Sequence, residues 1–227
     1  ASDDESEDHS GLITFELVRR AVADSESSSE GIGAIYNIGK TLGKGNFATV
    51  KRAQHKETGA EVAIKIIDRR SCTNINFVER EITSLGQINH PNCVALLEVC
   101  ESPSKIYMVT ELVMGGTVMD RIIAMDHFSE KESATAMVDV LYAVQYLHDI
   151  GVVHRDLKME NLMYASNDPS SPAYNTIKLV DFGFSISHAG GSLKTACGTP
   201  ATAAPEVLDP YLEFSGGYGP EVDLIRQ

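Results

Sequence analysis

The chain reads as an α+β protein in two unlike parts, strand-rich first and helix-led second, with a cleft between them. Three observations predict this. Residues 36–113 hold five segments of strand composition and one of helical spacing. The long stretch "SEKESATAMVDVLYAVQYLHDIG" then has the start and stop signals of a helix. Between them, "TELVMGG" places two glycines at the change of texture, and the junction of two such parts is a common place for a small-molecule site.

The elements follow in order. "ASDDESEDHS" and "ADSESSSEG" are acidic, serine-rich and poor in apolar residues, so residues 1–33 are expected to be a disordered tail. Within it "LITFELVRRAVA" is expected to form a short amphipathic helix. "YNIGKTLGKGNFATVKRAQ" predicts two strands around a glycine-bearing turn, and "AEVAIKIID" a third strand rich in Val and Ile. "NFVEREITSLGQI" has apolar residues at 78, 82, 85 and 88, which predicts a helix. "VALLEVCES" and "SKIYMVTELV" predict two more strands. The long helix opens on Ser129 and Glu132, a capping-box spacing, and closes on Gly151. No internal repeat is found.

At 227 residues the chain can bury a substantial core. Its net charge of −13 argues against a nucleic-acid partner, because phosphate contacts need clustered Lys and Arg. Residues 1–30 carry nine acids against Arg19 and Arg20, about half of that excess. Cys72, Cys93, Cys100 and Cys197 form no CxxC pair and read as reduced thiols. With no apolar run of membrane-spanning length and no signal peptide, the expected location is the cytoplasm, or the nucleus, with no membrane partner. The chain does not begin with Met, and its start is expected to be a fragment boundary.

Taken singly, the candidate site residues have bland readings. "GKGNFA" at 43–48 leaves backbone N–H groups open to phosphate oxygens, but serves equally as a hairpin turn. Lys65, in the apolar strand "VAIK", can be a lysine that snorkels to solvent. Paired with Glu81 on the next helix, it becomes a held charge for phosphate oxygens. In "HRDLKMEN", Asp156 is a candidate base or orienting carboxylate for a hydroxyl nucleophile. Lys158 is a counter-charge for a moving phosphoryl group, and Asn161 an oxygen ligand for a hard cation. Asp181, directly after the apolar strand "IKLV", is a second such ligand. A Rossmann reading fails, because a strand and not a helix follows the glycine turn.

Together, the glycine loop, "VAIK", a helix Glu, "HRDLKMEN", "DFG" and "APE" stand in one order at compatible spacings. This resembles the protein kinase family over residues 36–223. Lys158 has the serine/threonine form, and "HPN", "ELVMGG" and "TACGTP" are similar to the calcium/calmodulin-dependent kinase group. The resemblance implies a two-lobed kinase fold with the β-rich N-lobe and hinge at 34–113. A partial helical C-lobe at 114–227 would stop near the start of the family's central helix.

The resemblance also implies ATP and Mg²⁺ as cofactors, a protein Ser/Thr substrate and an upstream activating kinase. Leu42, Gly43, Lys44, Gly45, Asn46, Phe47, Ala48 and Val50 would cover the nucleotide. Lys65, tied to Glu81, would hold the α- and β-phosphates. Ala63 and Met163 would line the adenine pocket, Thr110 would guard its back, and Glu111 and Val113 would offer backbone hydrogen bonds. Asp156 and Lys158 would be catalytic, and Asn161 and Asp181 would hold the metal. Arg155 would pair with a phosphate on Thr195, and Cys197 reads as a buried filler.

Three departures from the family pattern stand out. "GTPATAAPE" puts Ala201, Thr202 and Ala203 where a bulky aromatic is usual, which predicts a looser substrate wall. Thr117 replaces a glutamate that would read a substrate arginine, and Glu160 remains as an acidic contact. After "YGPEVD" the chain reads "LIRQ", and Asp223 would begin the buried helix that anchors the catalytic loop. The expectation is therefore an uncovered apolar surface and a C-terminal truncation. Two functions compete, a serine/threonine kinase and a truncated nucleotide- or partner-binding module without turnover.

Overall fold

The computed structural model describes residues 17–25, 30–45, 48–72, 74–188, 190–209 and 216–224. In chain order its elements are β1 (Arg19–Ala21), α1 (Ile32–Ile35), β2 (Tyr36–Lys44), β3 (Ala48–His55), β4 (Glu61–Asp68) and α2 (Ile75–Gly86). There follow β5 (Leu96–Glu101), β6 (Lys105–Glu111), α3 (Val118–Met125), α4 (Glu130–Asp149), β7 (Val152–Val153), β8 (Leu162–Tyr164), β9 (Ile177–Leu179) and β10 (Ile186–Ser187).

A six-stranded sheet in the order β1-β5-β6-β4-β3-β2 forms the first part. Every pairing in it is antiparallel except β1 with β5. Alternation along β4 sends Val62, Ile64 and Ile66 into one core with Ile32, Tyr36, Tyr107 and Val109. Residues Ala63, Lys65 and Ile67 share the other face, where Ile67 joins a larger core with Val78, Ile82 and Leu85 of α2. Period-two patterning therefore puts a lysine on the face that α2 covers.

Asn74 caps α2, its side chain accepting from the Asn76 N–H at 3.1 Å. The box at Ser129 forms as expected, with the Glu132 N–H donating to Ser129 Oγ and the Ser129 N–H donating to Glu132 Oε2. A second box opens α3: Thr117 Oγ1 accepts from the Asp120 N–H and Asp120 Oδ2 from the Thr117 N–H, each at 3.0 Å. Thr117 thus has a structural task of its own.

The helix-led part packs Val140, Ala143, Val144 and Leu147 of α4 against β7 and β9 in the larger core. A small third core holds Val153, Ala203, Ala204, Val207, Tyr218 and Val222, so Ala203 is buried beside a tyrosine from the last described segment. Met137, Val138, Leu141 and Tyr142 on α4 are exposed. Cys93 and Cys100 are buried, and burial pushes both thiols up to about 12, which makes them inert packing groups. Among the described residues no helix is long and apolar enough to cross a membrane.

Of the tail predicted over 1–33, residues 1–16 and 26–29 lie outside the described residues, and so does the start of the helix predicted over 12–23; within 17–25 and 30–33, β1 lies along β5 and Ile32 is fully buried. The Val99 N–H donates to the Val18 carbonyl at 2.9 Å and the Val22 N–H to the Glu101 carbonyl at 2.8 Å. This pairing covers a sheet edge whose polar groups are otherwise bare, a tertiary gain that helical periodicity does not register.

Candidate active site

The glycine turn joins β2 to β3, with Gly43 opposite Val50 and Lys44 opposite Thr49. The Gly45 N–H closes the turn by donating to the Ala48 carbonyl at 2.8 Å. Leu42 is exposed, while Ala48, Val50 and Ala63 are half-buried. Asn46 and Phe47 lie outside the described residues.

Lys65 on β4 donates to Glu81 Oε1 on α2 at 2.6 Å, and its Nζ is 3.7 Å from Asp181 Oδ1. Burial works to lower the lysine's pKa, but the Glu81 and Asp181 carboxylates outweigh it and hold the group above its ordinary value. The lysine is charged at neutral pH. Its side chain is 26 % exposed and that of Glu81 only 7 %, so the pair sits at a boundary between core and solvent. Asp181 follows β9 with φ 60°, a left-handed conformation that costs an ordinary residue about 1–2 kcal/mol. The Gly183 N–H donates back to its Oδ1 at 3.3 Å.

The catalytic-loop residues form a second, denser cluster. Asp156 is 4 % exposed. Its Oδ1 accepts from Thr199 Oγ1 at 2.7 Å, and its Oδ2 accepts from Lys158 Nζ at 2.8 Å and Asn161 Nδ2 at 3.2 Å. Lys158 also donates to Thr199 Oγ1 at 2.7 Å. Asn161 Nδ2 donates a second bond to the Asp156 carbonyl, and the Asn161 carbonyl accepts from the Val180 N–H. The asparagine amide nitrogen is thus spent on Asp156, which leaves Oδ1 as its acceptor. The Val180 bond fastens this loop to the segment that leads from β9 to Asp181.

Asp223, expected only to begin an anchoring helix, itself supports the loop from behind, from a short 3-10 turn at Pro220–Asp223. Its Oδ2 accepts from the His154 N–H at 2.9 Å and its Oδ1 from the Arg155 N–H at 2.7 Å, while His148 Nε2 lies 3.0 Å from Oδ2. Arg155 is held at φ 68°, and a side chain on Gly198 would collide with its carbonyl, so glycine is required there. His154 is fully buried against Phe182, its Nδ1 accepting from the Asp156 N–H. Burial holds its pKa below the usual value and keeps the ring neutral.

At the junction, Thr110 Oγ1 is 3.5 Å from the Ala63 carbonyl. The Glu111 carboxylate accepts from Lys178 Nζ at 2.8 Å and from the Ala95 N–H at 2.9 Å. Met163, on β8, pairs with Lys178 on β9, so the same lysine ties the junction to this two-stranded ladder. The N–H and C=O of Val113 bond to no backbone group among the described residues.

Arg155 and Thr195 are linked through Tyr218. Arg155 Nη1 donates to Tyr218 Oη at 3.1 Å, and that hydroxyl donates to the Thr195 carbonyl at 2.6 Å. Thr195 itself is exposed. Cys197 Sγ is 3.9 Å from the same hydroxyl and half-buried, so it is less enclosed than a core filler.

Sequence reasoning missed Thr199, Tyr218 and the Glu111–Lys178 pair. Thr199 stands in the quoted "GTP", but its contact with Asp156 spans 43 positions, which no local pattern encodes. Among the described residues no three His, Cys, Asp or Glu side chains gather as a metal cluster.

Comparison with known proteins agrees with this geometry. The protein kinase domain matches residues 36–225. Calcium/calmodulin-dependent protein kinase type 1B of Rattus norvegicus is 42 % identical over 200 residues, 88 % of this chain and 56 % of the relative. CBL-interacting protein kinase 1 of Oryza sativa is 44 % identical over 193 residues, 82 % of this chain and 40 % of the relative. Calcium/calmodulin-dependent protein kinase type IV of Homo sapiens is 39 % identical over 199 residues, 87 % of this chain and 40 % of the relative. The chain spans about half the length, or less, of these relatives. With its lysine–glutamate pair, its catalytic-loop aspartate and this match over most of its length, the chain belongs to the protein kinase family.

Proposed function

We propose that the chain carries the phosphoryl-transfer site of a serine/threonine protein kinase, acting from ATP onto a protein Ser or Thr hydroxyl. The observation that carries this reading is Lys65 held 2.6 Å from Glu81 and 3.7 Å from Asp181 by three elements remote in sequence. A charged lysine fixed in this way is placed to grip phosphate oxygens.

The open glycine turn between β2 and β3 supports nucleotide binding. A Cβ on Gly43 would meet nothing within 4 Å, and one on Gly45 only the Ala48 carbonyl at 3.7 Å. Internal packing asks for glycine at neither position, whereas close approach of backbone N–H groups to phosphate does. Leu42, Lys44, Asn46, Phe47, Ala48 and Val50 would complete that cover. The Glu111 carbonyl and the Val113 backbone would bond adenine, between Ala63 and Met163 and in front of Thr110.

Asp181 and Asn161 Oδ1 would hold Mg²⁺, a cation that keeps several waters and takes few protein oxygens. When bound, the metal supplies neutralising charge at the phosphates. Asp156 would orient the acceptor hydroxyl. Its carboxylate accepts three side-chain hydrogen bonds here, out of about four that such a group can take, which leaves room for one more. Lys158 would hold charge on the moving phosphoryl group, and Thr199 would keep both groups aimed. Thr195 would take an activating phosphate from an upstream kinase, adding about −1.5 to −2 charges near Arg155. With reduced cysteines and an acidic surface, the inferred location is cytoplasm or nucleus, with no nucleic-acid or membrane partner.

The test is thermal melting with Mg²⁺-ATP, followed by transfer of labelled phosphate to Ser/Thr peptides. At about 100 times Kd, ATP should raise Tm by roughly 5–10 °C. Lys65→Met should remove most of that rise. No change with ATP in the unaltered chain would overturn the reading, and binding without transfer would favour the module that binds but does not turn over.

A further inference from the structure

We infer that Arg19 is a positioning residue for the Lys65–Glu81 pair, acting by bracing the outer face of α2 against the sheet. The inference rests on the reading of Lys65 as the group that holds phosphate.

The argument starts from how β1 is fastened. Its ladder with β5 pairs Arg19 with Val99, Arg20 with Cys100 and Ala21 with Glu101. Beyond the strand, Asp24 Oδ1 accepts from Ser102 Oγ at 2.8 Å and from the Ser104 N–H at 3.4 Å. None of these bonds involves α2, so β1 is a fixed point on the sheet.

From that point two side chains reach the helix. Arg19 Nη1 donates to Glu101 Oε1 on β5 at 3.0 Å, and Nη2 donates to Glu79 Oε2 on α2 at 2.8 Å. One rigid guanidinium fork thus bridges sheet and helix, a task that a lysine, as a single point charge, performs poorly. Leu17 packs at the last turn of α2, where a Cβ on Gly86 would come within 3.2 Å of its Cδ2. The missing side chain at Gly86 leaves that seat open.

The geometry of α2 connects this brace to the site. Glu79 and Glu81 are two residues apart, about 200° around a helix that turns roughly 100° per residue. Glu81 therefore points inward to Lys65 while Glu79 is held from the other side of the same turn. Any rotation of α2 that withdraws Glu81 from Lys65 also drags Glu79 off Arg19.

The experiment uses the full chain with Arg19→Ala and, as a variant at an exposed position that is safe for folding, Glu79→Gln. Two quantities are read: amide hydrogen exchange in α2 without nucleotide, and Mg²⁺-ATP affinity by calorimetry. Each substitution should speed exchange across residues 79–86 and leave the β3 and β4 amides unchanged. Each should also weaken ATP binding about two- to five-fold, the range of a partly exposed ion pair. Together they should do no more than either alone, because they break one link. In a Glu81→Gln background the lysine has already lost its ion pair with α2, and Arg19→Ala should leave ATP affinity unaltered. A general loss of stability would not show that dependence. Unchanged α2 exchange, or an equal loss of ATP affinity with and without Glu81, overturns the inference. Failure of the unaltered chain to bind Mg²⁺-ATP would instead sink the reading of the site, and α2 exchange alone would then decide whether Arg19 positions the helix.

Discussion

In one half of the candidate site Lys65, Glu81 and Asp181 come from β4, from α2 and from the segment after β9, and charge holds them together. In the other half Asp156, Lys158 and Asn161 lie within six residues, bonded to one another and hung by two backbone N–H groups from a buried carboxylate. The first arrangement fails if a helix moves. The second fails if a single buried group is lost. The difference teaches where each half is vulnerable: the Lys65 half to the placement of α2, the Asp156 half to its internal hydrogen bonds.

The largest expected effect tests whether the two halves do separate work. Asp156→Asn should keep ATP affinity and cut phosphoryl transfer by about two to four powers of ten, the range of a positioned acid or base. Asp181→Asn should weaken Mg²⁺-dependent ATP binding as well as rate. Circular dichroism comes first, to show intact folds; calorimetry and peptide phosphorylation then separate binding from rate. Loss of ATP binding in the Asp156 variant, with none in the Asp181 variant, would reverse the assignments.

Next in size is the support behind the loop. The Asp223 side chain is 1 % exposed, and its removal would strand the N–H groups of His154 and Arg155. Asp223→Ala should lower unfolding stability by about 3–5 kcal/mol in urea titration. A loss under 1 kcal/mol would mean that the loop is held by other bonds.

The smallest effect concerns pH. The folded pKa of His154 is depressed by burial, which outweighs the Asp223, Asp181 and Asp156 carboxylates that pull it up. Below about pH 6.5 the unfolded chain takes a proton that the folded chain refuses, so stability falls as pH falls, by at most about 1.4 kcal/mol per unit. Above that pH the group contributes nothing. Melting curves between pH 7.5 and 5.5 should show the decline, and His154→Asn should flatten it. An identical slope in the variant would assign the acid sensitivity to other groups.

Much of this protein was legible in its sequence because the signals are local. The composition of "AEVAIKIID" marked the strand that carries Lys65, and the order of motifs paired that lysine with Glu81. The spacing from Ser129 to Glu132 gave a capping box, and six ordered motifs named the family that the comparisons bear out. Periodicity and capping need only neighbours within one or two turns, and the sequence lists those neighbours directly.

The rest depended on partners far away along the chain. That residues 19–21 form a strand follows from a bare edge on β5, about 80 positions later, and not from their own helical pattern. That Thr199 bonds Asp156, that Tyr218 stands between Arg155 and Thr195, and that Glu111 takes Lys178 are choices among many polar groups able to pair. Composition supplied the donors and acceptors. Only the folded chain decided which of them met, because burying a polar group demands a partner but does not name it.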